Sequence, residues 1–262
     1  MRLRNGKRTM SFSETIAQNL IMIFDVETTG LLPKTVKDYR TPLDQNPYII
    51  QLSYIIYDII SKTIVFRYNA YIRLPEKIKI PEIVIQITGI TNEKCREQGV
   101  PIQEALTAFY RDIHLCSRIV AHNYAFDKTV LQSEFKRYMY SEQFRAACPN
   151  APILFSFEYL KNQKIRSTCT MGLGTGVCKI LNPRFPNAKI YKWPKLSELH
   201  QHLFGFVPEN LHDSNVDVEA CLNCYLEMVH VFFPKYEKEK EKEKEKEKEK
   251  EKEKNMAVNV VV

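Results

Sequence analysis

Apolar and polar positions along residues 20–235 alternate in a pattern that predicts one α/β domain. The apolar run at residues 21–24 is typical of a buried strand, and charged residues follow it directly. Residues 48–60 and 64–72 predict two further strands, and residues 61–63 predict the turn between them. Because that turn is too short for a crossover, the two strands should be antiparallel.

Apolar residues recur at helical spacing from residue 102 onward. They predict a helix over residues 102–113, with Pro101 at its start, and further helices over residues 126–140 and 196–204. A short strand is predicted at residues 118–121. A last long helix carries the apolar stripe Val218, Cys221, Leu222, Tyr225 and Val229. This order of elements favours a mixed sheet covered by helices.

The stretch between residues 147 and 187 is poorly periodic and rich in Pro and Gly. It predicts loops with one short strand near residues 165–170. Gly172, Gly174 and Gly176 come without the Lys-Ser/Thr pair of a phosphate-binding loop, so a flexible loop is predicted there.

Composition narrows the class of protein. With 262 residues, of which 44% are hydrophobic, the chain is too apolar to be wholly disordered and long enough to bury a core without disulfides. Seven cysteines without regular spacing indicate a reducing intracellular compartment, the cytoplasm or the nucleus. No apolar run approaches the ~20 residues that span a bilayer, so no membrane partner is expected.

Both ends of the chain differ from the domain between them. Residues 1–19 form a basic arm in which four Lys and Arg residues precede the first acidic residue, Glu14. Such an arm suits a polyanionic partner, although plain solubility or a mitochondrial transit peptide are alternatives. Residues 236–262 contain nine Glu-Lys pairs and a short apolar end, which predicts a disordered tail.

Asp25 and Glu27 end the first predicted strand. They should point to the same face, because side chains alternate along a strand. Two carboxylates held close repel each other, and a divalent cation relieves that repulsion. For this pair taken alone, a solvated strand end is the alternative.

Residues further along the chain add candidates to this site. Asp127 follows a predicted strand and is either a helix-start acid stabilised by the helix dipole or a third metal ligand. His212 lies in the loop before the last helix, and Asp217 lies in the first turns of that helix. A histidine beside carboxylates is a candidate general base, because imidazole titrates near neutral pH.

In their order along the chain, these residues resemble the motifs of the DEDDh, or DnaQ-like, exonucleases. That family includes the proofreading epsilon subunit of bacterial DNA polymerase III. The three motifs are Asp25-x-Glu27-Thr-Thr-Gly, His122-Asn-x-x-Phe-Asp127 and His212-x4-Asp217. The resemblance covers roughly residues 20–230, and the sequence around Gln51 also agrees with the family pattern.

The resemblance implies an RNase H-like fold with a five-stranded mixed sheet flanked by helices. It also implies that Asp25, Glu27, Asp127 and Asp217 hold two Mg²⁺ or Mn²⁺ ions about 3.5–4 Å apart. His212 would deprotonate the attacking water.

The resemblance further implies a pocket for the terminal nucleotide. Thr28, Thr29 and Leu31 would line it, and Asn123 and Phe126 would shape it. Core packing is the alternative role for Leu31 and Phe126. For Asn123 the alternative is a hydrogen bond that orders the turn.

The activity implied by the resemblance is a 3′→5′ exonuclease that releases nucleoside 5′-monophosphates from single-stranded DNA or frayed 3′ ends, in proofreading or repair. A DNA polymerase or another replication protein would be a further partner. An exoribonuclease of the same family remains open, because the two activities share these motifs. A non-catalytic module that binds nucleic acid or a polymerase is the alternative from another class.

Two further features have competing interpretations. Trp193 and Tyr191 lie among lysines and could stack on single-stranded bases, but a buried Trp on a Lys-rich loop fits equally well. Cys221-x-x-Cys224 could be half of a zinc site. Because the two cysteines fall on the apolar stripe, we predict them to be small packed residues instead.

Overall fold

The structure, a computed structural model, describes residues 19–34, 43–185 and 187–234. The predicted basic arm therefore lies outside the described residues except for Asn19, and the predicted tail lies outside them entirely. In the described part of the chain, one five-stranded mixed sheet forms the centre of the domain. Its strands are β1 (Leu20–Thr28), β2 (Ile49–Asp58), β3 (Thr63–Tyr71), β4 (Arg118–Ala121) and β5 (Arg166–Cys169).

Helices cover both faces of this sheet. They are α1 (Glu82–Thr88), α2 (Asn92–Gln98), α3 (Ile102–Ile113), α4 (Tyr124–Tyr138), α5 (Glu142–Ala147), α6 (Phe157–Asn162), α7 (Thr170–Cys178), α8 (Leu196–Phe204) and α9 (Ser214–Glu227). Single 3₁₀ turns occur at Leu43–Gln45 and Ala151–Ile153, and a π-helical turn at Met228–Phe232 extends α9. None of the helices described is both long and apolar enough to cross a bilayer.

The sheet has the strand order β3-β2-β1-β4-β5. Strand β1 pairs with β2 and β2 with β3 in antiparallel fashion, whereas β1 with β4 and β4 with β5 are parallel. The mixed sheet implied by the resemblance is therefore confirmed. Because β1, β4 and β5 run in the same direction, their carboxyl ends meet at one edge of the sheet.

The two faces of β1 pack against different helices. Phe24 belongs to a core cluster with α3 and α4, whereas Ile21 and Ile23 belong to a cluster with α9. Alternation along the strand places Asp25 and Glu27 on the same face as Ile21 and Ile23. The apolar positions of β1 therefore orient its two carboxylates toward the start of α9.

Most of the predicted elements are confirmed. Strands β2 and β3 are antiparallel, α3 begins after Pro101, and β4 and α8 have the predicted bounds. Helix α4 begins at residue 124 and ends at residue 138, two residues before the predicted bounds. Cys221 and Cys224 are buried on α9, as expected for small packed residues.

The short strand predicted near residues 165–170 is confirmed as β5, but the prediction of loops for the rest of residues 147–187 is wrong. That stretch also contains α6 and α7, and the three glycines predicted to form a flexible loop lie within α7. A Cβ atom added to Gly174 would come within 2.9 Å of Leu199 Cδ1 and 3.2 Å of Pro194 Cγ. Gly174 therefore allows α7 to pack closely against Leu199 of α8, a contact that helix propensity does not reveal. The short helices α1, α2 and α5 were likewise not predicted.

Candidate active site

The candidate site begins where β1 reaches the edge of the sheet. Asp25 and Glu27 lie on one face there, and Glu27 is opposite Gln51 on β2. The strand register shifts between Glu27 and Thr28, where Ile50 of β2 has no partner on β1. Such an extra residue is typical of a β-bulge, here in β2. Strand β1 ends at Thr28, so its two carboxylates lie at the edge of the sheet.

Asp127 reaches this edge from the first turn of α4. Its side chain is buried, and the Val26 N–H donates to its Oδ1 at 3.3 Å. Asn123, directly before α4, has a left-handed φ of 65°, a conformation that Asn tolerates better than most residues. The Asn123 side chain makes no capping hydrogen bond to α4, so its alternative role is not met by a cap of this helix. Its backbone carbonyl instead accepts from the Phe126 N–H at 2.8 Å.

His212 and Asp217 meet Glu27 from the side of α9. The His212 N–H donates to Asp217 Oδ2 at 3.2 Å. One potential ligand atom from each of Glu27, His212 and Asp217 lies within 4.8 Å of the others. His212 is exposed and has a left-handed φ of 77°. Non-glycine residues held in this conformation are strained, and such strain clusters at functional sites.

Burial and mutual repulsion raise the pKa of all four carboxylates. Burial, followed by the charges of Asp217 and Asp127, raises the pKa of Glu27 to about 8. Burial raises the pKa of Asp127 to about 8, although two backbone N–H groups oppose the change. Burial and the charge of Asp213 raise the pKa of Asp217 to about 7. Burial raises the pKa of Asp25 well above its usual value, and repulsion from Asp127 and Asp217 adds to the effect.

This donor set fits a hard divalent cation. Asp217 Oδ1 is buried and receives no hydrogen bond from the described residues. A buried carboxylate oxygen without a donor is costly, and a cation beside it would satisfy it. The raised pKa values also favour a cation site. A bound cation would replace the protons that mutually repelling carboxylates otherwise retain.

A buried polar network, which the sequence analysis did not identify, holds α9 against the sheet. Gln51 is fully buried, and its Nε2 donates to Asp213 Oδ1 and to Asn69 Oδ1, both at 2.9 Å. The Gln51 Oε1 accepts from the Ser214 N–H at 3.3 Å. The hydroxyls of Ser53 and Ser214 lie 2.6 Å apart. The family pattern around Gln51 was the only signal in the sequence, and it did not identify these partners.

The predicted nucleotide pocket begins at the turn after β1. The Thr28 hydroxyl donates to the Gly30 carbonyl at 2.6 Å, and the Thr29 Oγ1 accepts from the Tyr48 N–H at 3.0 Å. Both hydroxyls therefore stabilise the turn. The Leu31 side chain is 87% exposed, so its alternative role in core packing is wrong. It lies open to a ligand.

Two other residues of the second motif make structural contacts. Phe126 is half-buried and packs against the core cluster of α3 and α4, as its alternative role proposed. His122 Nε2–H donates to the Pro194 carbonyl at 3.1 Å, and its Nδ1 lies 3.0 Å from Thr170 Oγ1. Burial lowers the pKa of His122 to about 4, so the ring is neutral at neutral pH. His122 thus joins β4 to α7 and to the segment before α8.

Comparisons with known proteins agree with this arrangement. A family model described as Exonuclease (RNase_T) matches residues 22–225. No curated protein sequence matches the chain. Escherichia coli exonuclease I in complex with a dT13 oligonucleotide has a similar fold, with 18% identity and a TM-score of 0.55 over 84% of this chain and 43% of its own.

Two further structures of exonuclease I are similar. The zinc-bound E. coli enzyme with single-stranded DNA has 20% identity and a TM-score of 0.54, covering 81% of this chain and 41% of its own. A moderately thermophilic exonuclease I from Methylocaldum szegediense has 15% identity and a TM-score of 0.54, covering 80% of this chain and 41% of its own. The chain therefore spans about two-fifths of the length of these proteins. At this identity the likeness shows the fold, and the match over residues 22–225 shows that the chain belongs to the RNase_T exonuclease family of the DEDDh type.

Proposed function

We propose that this chain is a metal-dependent 3′→5′ exonuclease that releases nucleoside 5′-monophosphates from single-stranded DNA or frayed 3′ ends. The observation that carries the proposal is the convergence of four carboxylates and His212 at one edge of the sheet. Membership of an exonuclease family supports the class of reaction. The oligonucleotide bound to E. coli exonuclease I supports single-stranded DNA as the substrate. A polymerase or replication partner remains a prediction.

The carboxylates of Asp25, Glu27, Asp127 and Asp217 are proposed to hold two Mg²⁺ or Mn²⁺ ions. Carboxylate oxygens suit these hard cations, whereas zinc prefers nitrogen and sulfur ligands. When bound, the ions would supply Lewis-acid stabilisation of the charge that develops on the phosphate and on the leaving 3′-oxygen. The protein contributes four acids whose negative charges are held close together by β1, α4 and α9.

His212 is proposed to take the proton from the attacking water. Its ring is exposed beside Glu27 and Asp217, where a water molecule can reach it. The hydrogen bond from its own N–H to Asp217 fixes the backbone from which the ring extends. A positioned general base of this kind typically accelerates a reaction about 10²–10⁴-fold.

The turn after β1 is proposed to hold the terminal nucleotide. Because the hydroxyls of Thr28 and Thr29 stabilise that turn, backbone groups there would contact the sugar, and the exposed Leu31 would contact the base. Asn123 is exposed at the start of α4 and would contact the same nucleotide, while Phe126 supports it from the core.

The test is a digestion of 5′-labelled single strands of DNA and RNA with the same sequence, in Mg²⁺ or Mn²⁺. The proposal predicts a ladder that shortens from the 3′ end and forms faster on DNA. Glu27→Gln should prevent the ladder, and Glu76→Gln, which changes an exposed acid elsewhere, should not. Faster shortening of RNA would favour the exoribonuclease alternative. Binding without shortening would favour the non-catalytic module.

A further inference from the structure

One segment within the domain carries a large surplus of positive charge. Residues 159–197 contain no Asp or Glu and eight basic residues: Lys161, Lys164, Arg166, Lys179, Arg184, Lys189, Lys192 and Lys195. Since the whole chain carries +7, the remainder of the chain has a net charge of −1. A local surplus of one sign attracts a ligand of the opposite sign, and nucleic acid is such a ligand.

The same segment exposes aromatic rings. After α7 the chain forms a loop that closes where Leu181 and Tyr191 pair in a β-bridge. Trp193, the only tryptophan of the chain, is 69% exposed, and Tyr191 is 37% exposed. The alternative of a buried Trp on a Lys-rich loop is therefore wrong. Tyr191 and Trp193 line an open cleft of about 480 Å³ together with Arg184 and Lys192, and we call these four residues the aromatic loop surface.

This surface is anchored beside the candidate active site. Pro194, directly after Trp193, is buried, and its carbonyl accepts the hydrogen bond from His122 Nε2. His122 follows β4 and precedes Asp127 by five residues, at the sheet edge where the carboxylates converge. Pro194 also lies close to Gly174 of α7, where a Cβ atom would come within 3.2 Å of its ring. These contacts hold the base of the loop in a defined position.

We propose that the aromatic loop surface is a second binding site for single-stranded nucleic acid, outside the carboxylate cluster. Trp193 and Tyr191 would stack on bases, and the exposed Arg184 would contact phosphate. Lys192 is paired with Glu198 of α8, so it contributes less charge than Arg184. The inference rests on the proposed function, because it extends the substrate beyond the terminal nucleotide.

Nucleic acid fits this surface better than a protein partner does. The surrounding segment has no acidic residue, and the exposed rings alternate with cations along the loop. Aromatic rings accept any base, which suits an enzyme that shortens strands without regard to sequence. A protein partner is the other outcome of the tests below.

The first test uses the fluorescence of Trp193, which has no competing tryptophan signal. The full chain is titrated in EDTA with an oligo-dT of about 15 nucleotides, a length that exceeds a single binding pocket. We expect the fluorescence to be quenched by this oligonucleotide but not by a dinucleotide. Unchanged fluorescence on binding of the longer strand would overturn the inference and would leave a protein partner as the ligand of this surface.

The second test compares how variants distinguish long from short substrates. Trp193→Ala should reduce the preference for the long strand over the dinucleotide about tenfold, and Trp193→Phe should retain most of it. Tyr140→Ala, which removes an aromatic ring that is 79% exposed outside the basic segment, serves as the matched control. Arg184→Ala should lower the slope of log affinity against log salt concentration by about 0.7, and the control Arg145→Ala should not.

These results separate the inference from the proposed function. Hydrolysis of the dinucleotide by the wild-type protein tests the proposed function alone. If hydrolysis is observed but Trp193→Ala keeps the wild-type length preference, the second binding site is refuted and the exonuclease is not. If no substrate is hydrolysed, the fluorescence titration still decides whether single strands contact Trp193.

Discussion

Replacing Asp127 with Asn should stabilise the metal-free protein at alkaline pH and weaken its response to Mg²⁺. Asn has nearly the same shape as Asp, and its side-chain oxygen can still accept the hydrogen bond from the Val26 N–H. The substitution therefore removes the charge with little change in packing.

The magnitude follows from the pKa of Asp127. Burial raises this pKa to about 8 in the folded protein, from an ordinary value of 3.8. Between these values the folded state binds a proton that the unfolded state releases, so the free energy of unfolding falls as pH rises. Each pH unit above the unfolded-state pKa costs about 1.36 kcal/mol. The loss in the free energy of unfolding therefore approaches about 4 kcal/mol near pH 7. Because a buried Asn keeps part of the desolvation cost, we expect Asp127→Asn to recover about 1–3 kcal/mol near pH 8.

Urea unfolding in EDTA at about pH 4.5 and about pH 8 measures this effect, since the charge cost is nearly absent at the lower pH. Addition of Mg²⁺ at the higher pH should stabilise the wild-type protein more than the variant, because the cation binds the folded state through these carboxylates. Glu76→Gln, at an exposed acid, is the control and should change little. The explanation is refuted if the variant is less stable than the wild type at the higher pH. It is also refuted if the substitution changes the free energy of unfolding equally at both pH values.

Three further predictions concern two residues of the site and one buried ion pair elsewhere in the domain. Gln51→Leu should lower the single-turnover rate constant of hydrolysis about 10²-fold. The start of α9 would lose the hydrogen bonds that Asp213 and Ser214 make with the Gln51 amide, and the site geometry would shift. His212→Ala should lower kcat about 10²–10⁴-fold, with metal affinity measured by calorimetry changing far less, and equal losses of both would contradict its role as a base. Arg137→Ala should cost about 3–5 kcal/mol in urea unfolding, because it leaves the buried Glu134 without its ion pair. If the double variant with Glu134→Leu is no more stable than Arg137→Ala, that explanation is wrong.

The carboxylates could be predicted because their geometry is local. Asp25 and Glu27 share a face through strand alternation, and Asp217 occupies the first turn of a helix that its apolar stripe predicts. The order of the motifs then identified which distant acids belong together. For Asp127, which lies in the first turn of a helix, the local pattern left a structural role open, and only the order of the motifs assigned it to the site.

The contacts of Gln51 could not be predicted from the sequence. Its partner Asp213 lies 162 positions away, and Gln51 is flanked by the apolar residues of a buried strand. Only the packing of α9 on the sheet brings the two side chains together. A buried amide in such a strand indicates that a partner exists, but it does not identify the partner.

The loop prediction for the stretch around Gly174 was wrong for a related reason. Glycine lowers helix propensity by about 1 kcal/mol, so three glycines predict a loop. The structure shows that a small residue is needed at Gly174 for the contact with Leu199.

Trp193 is a different case, because sequence alone left both its exposure and its burial open and only the path of the loop distinguishes them.

Above all, we propose that the carboxylate cluster hydrolyses the terminal phosphodiester bond at a 3′ end. A time course on 3′-labelled single-stranded DNA in Mg²⁺, comparing the wild-type protein with Asp25→Asn, tests it most directly. We predict that the wild type releases labelled 5′-mononucleotide as its first product, and that neither the variant nor the wild type in EDTA does so. Release by Asp25→Asn at the wild-type rate, or binding of the strand by the wild type without any release, would contradict the claim.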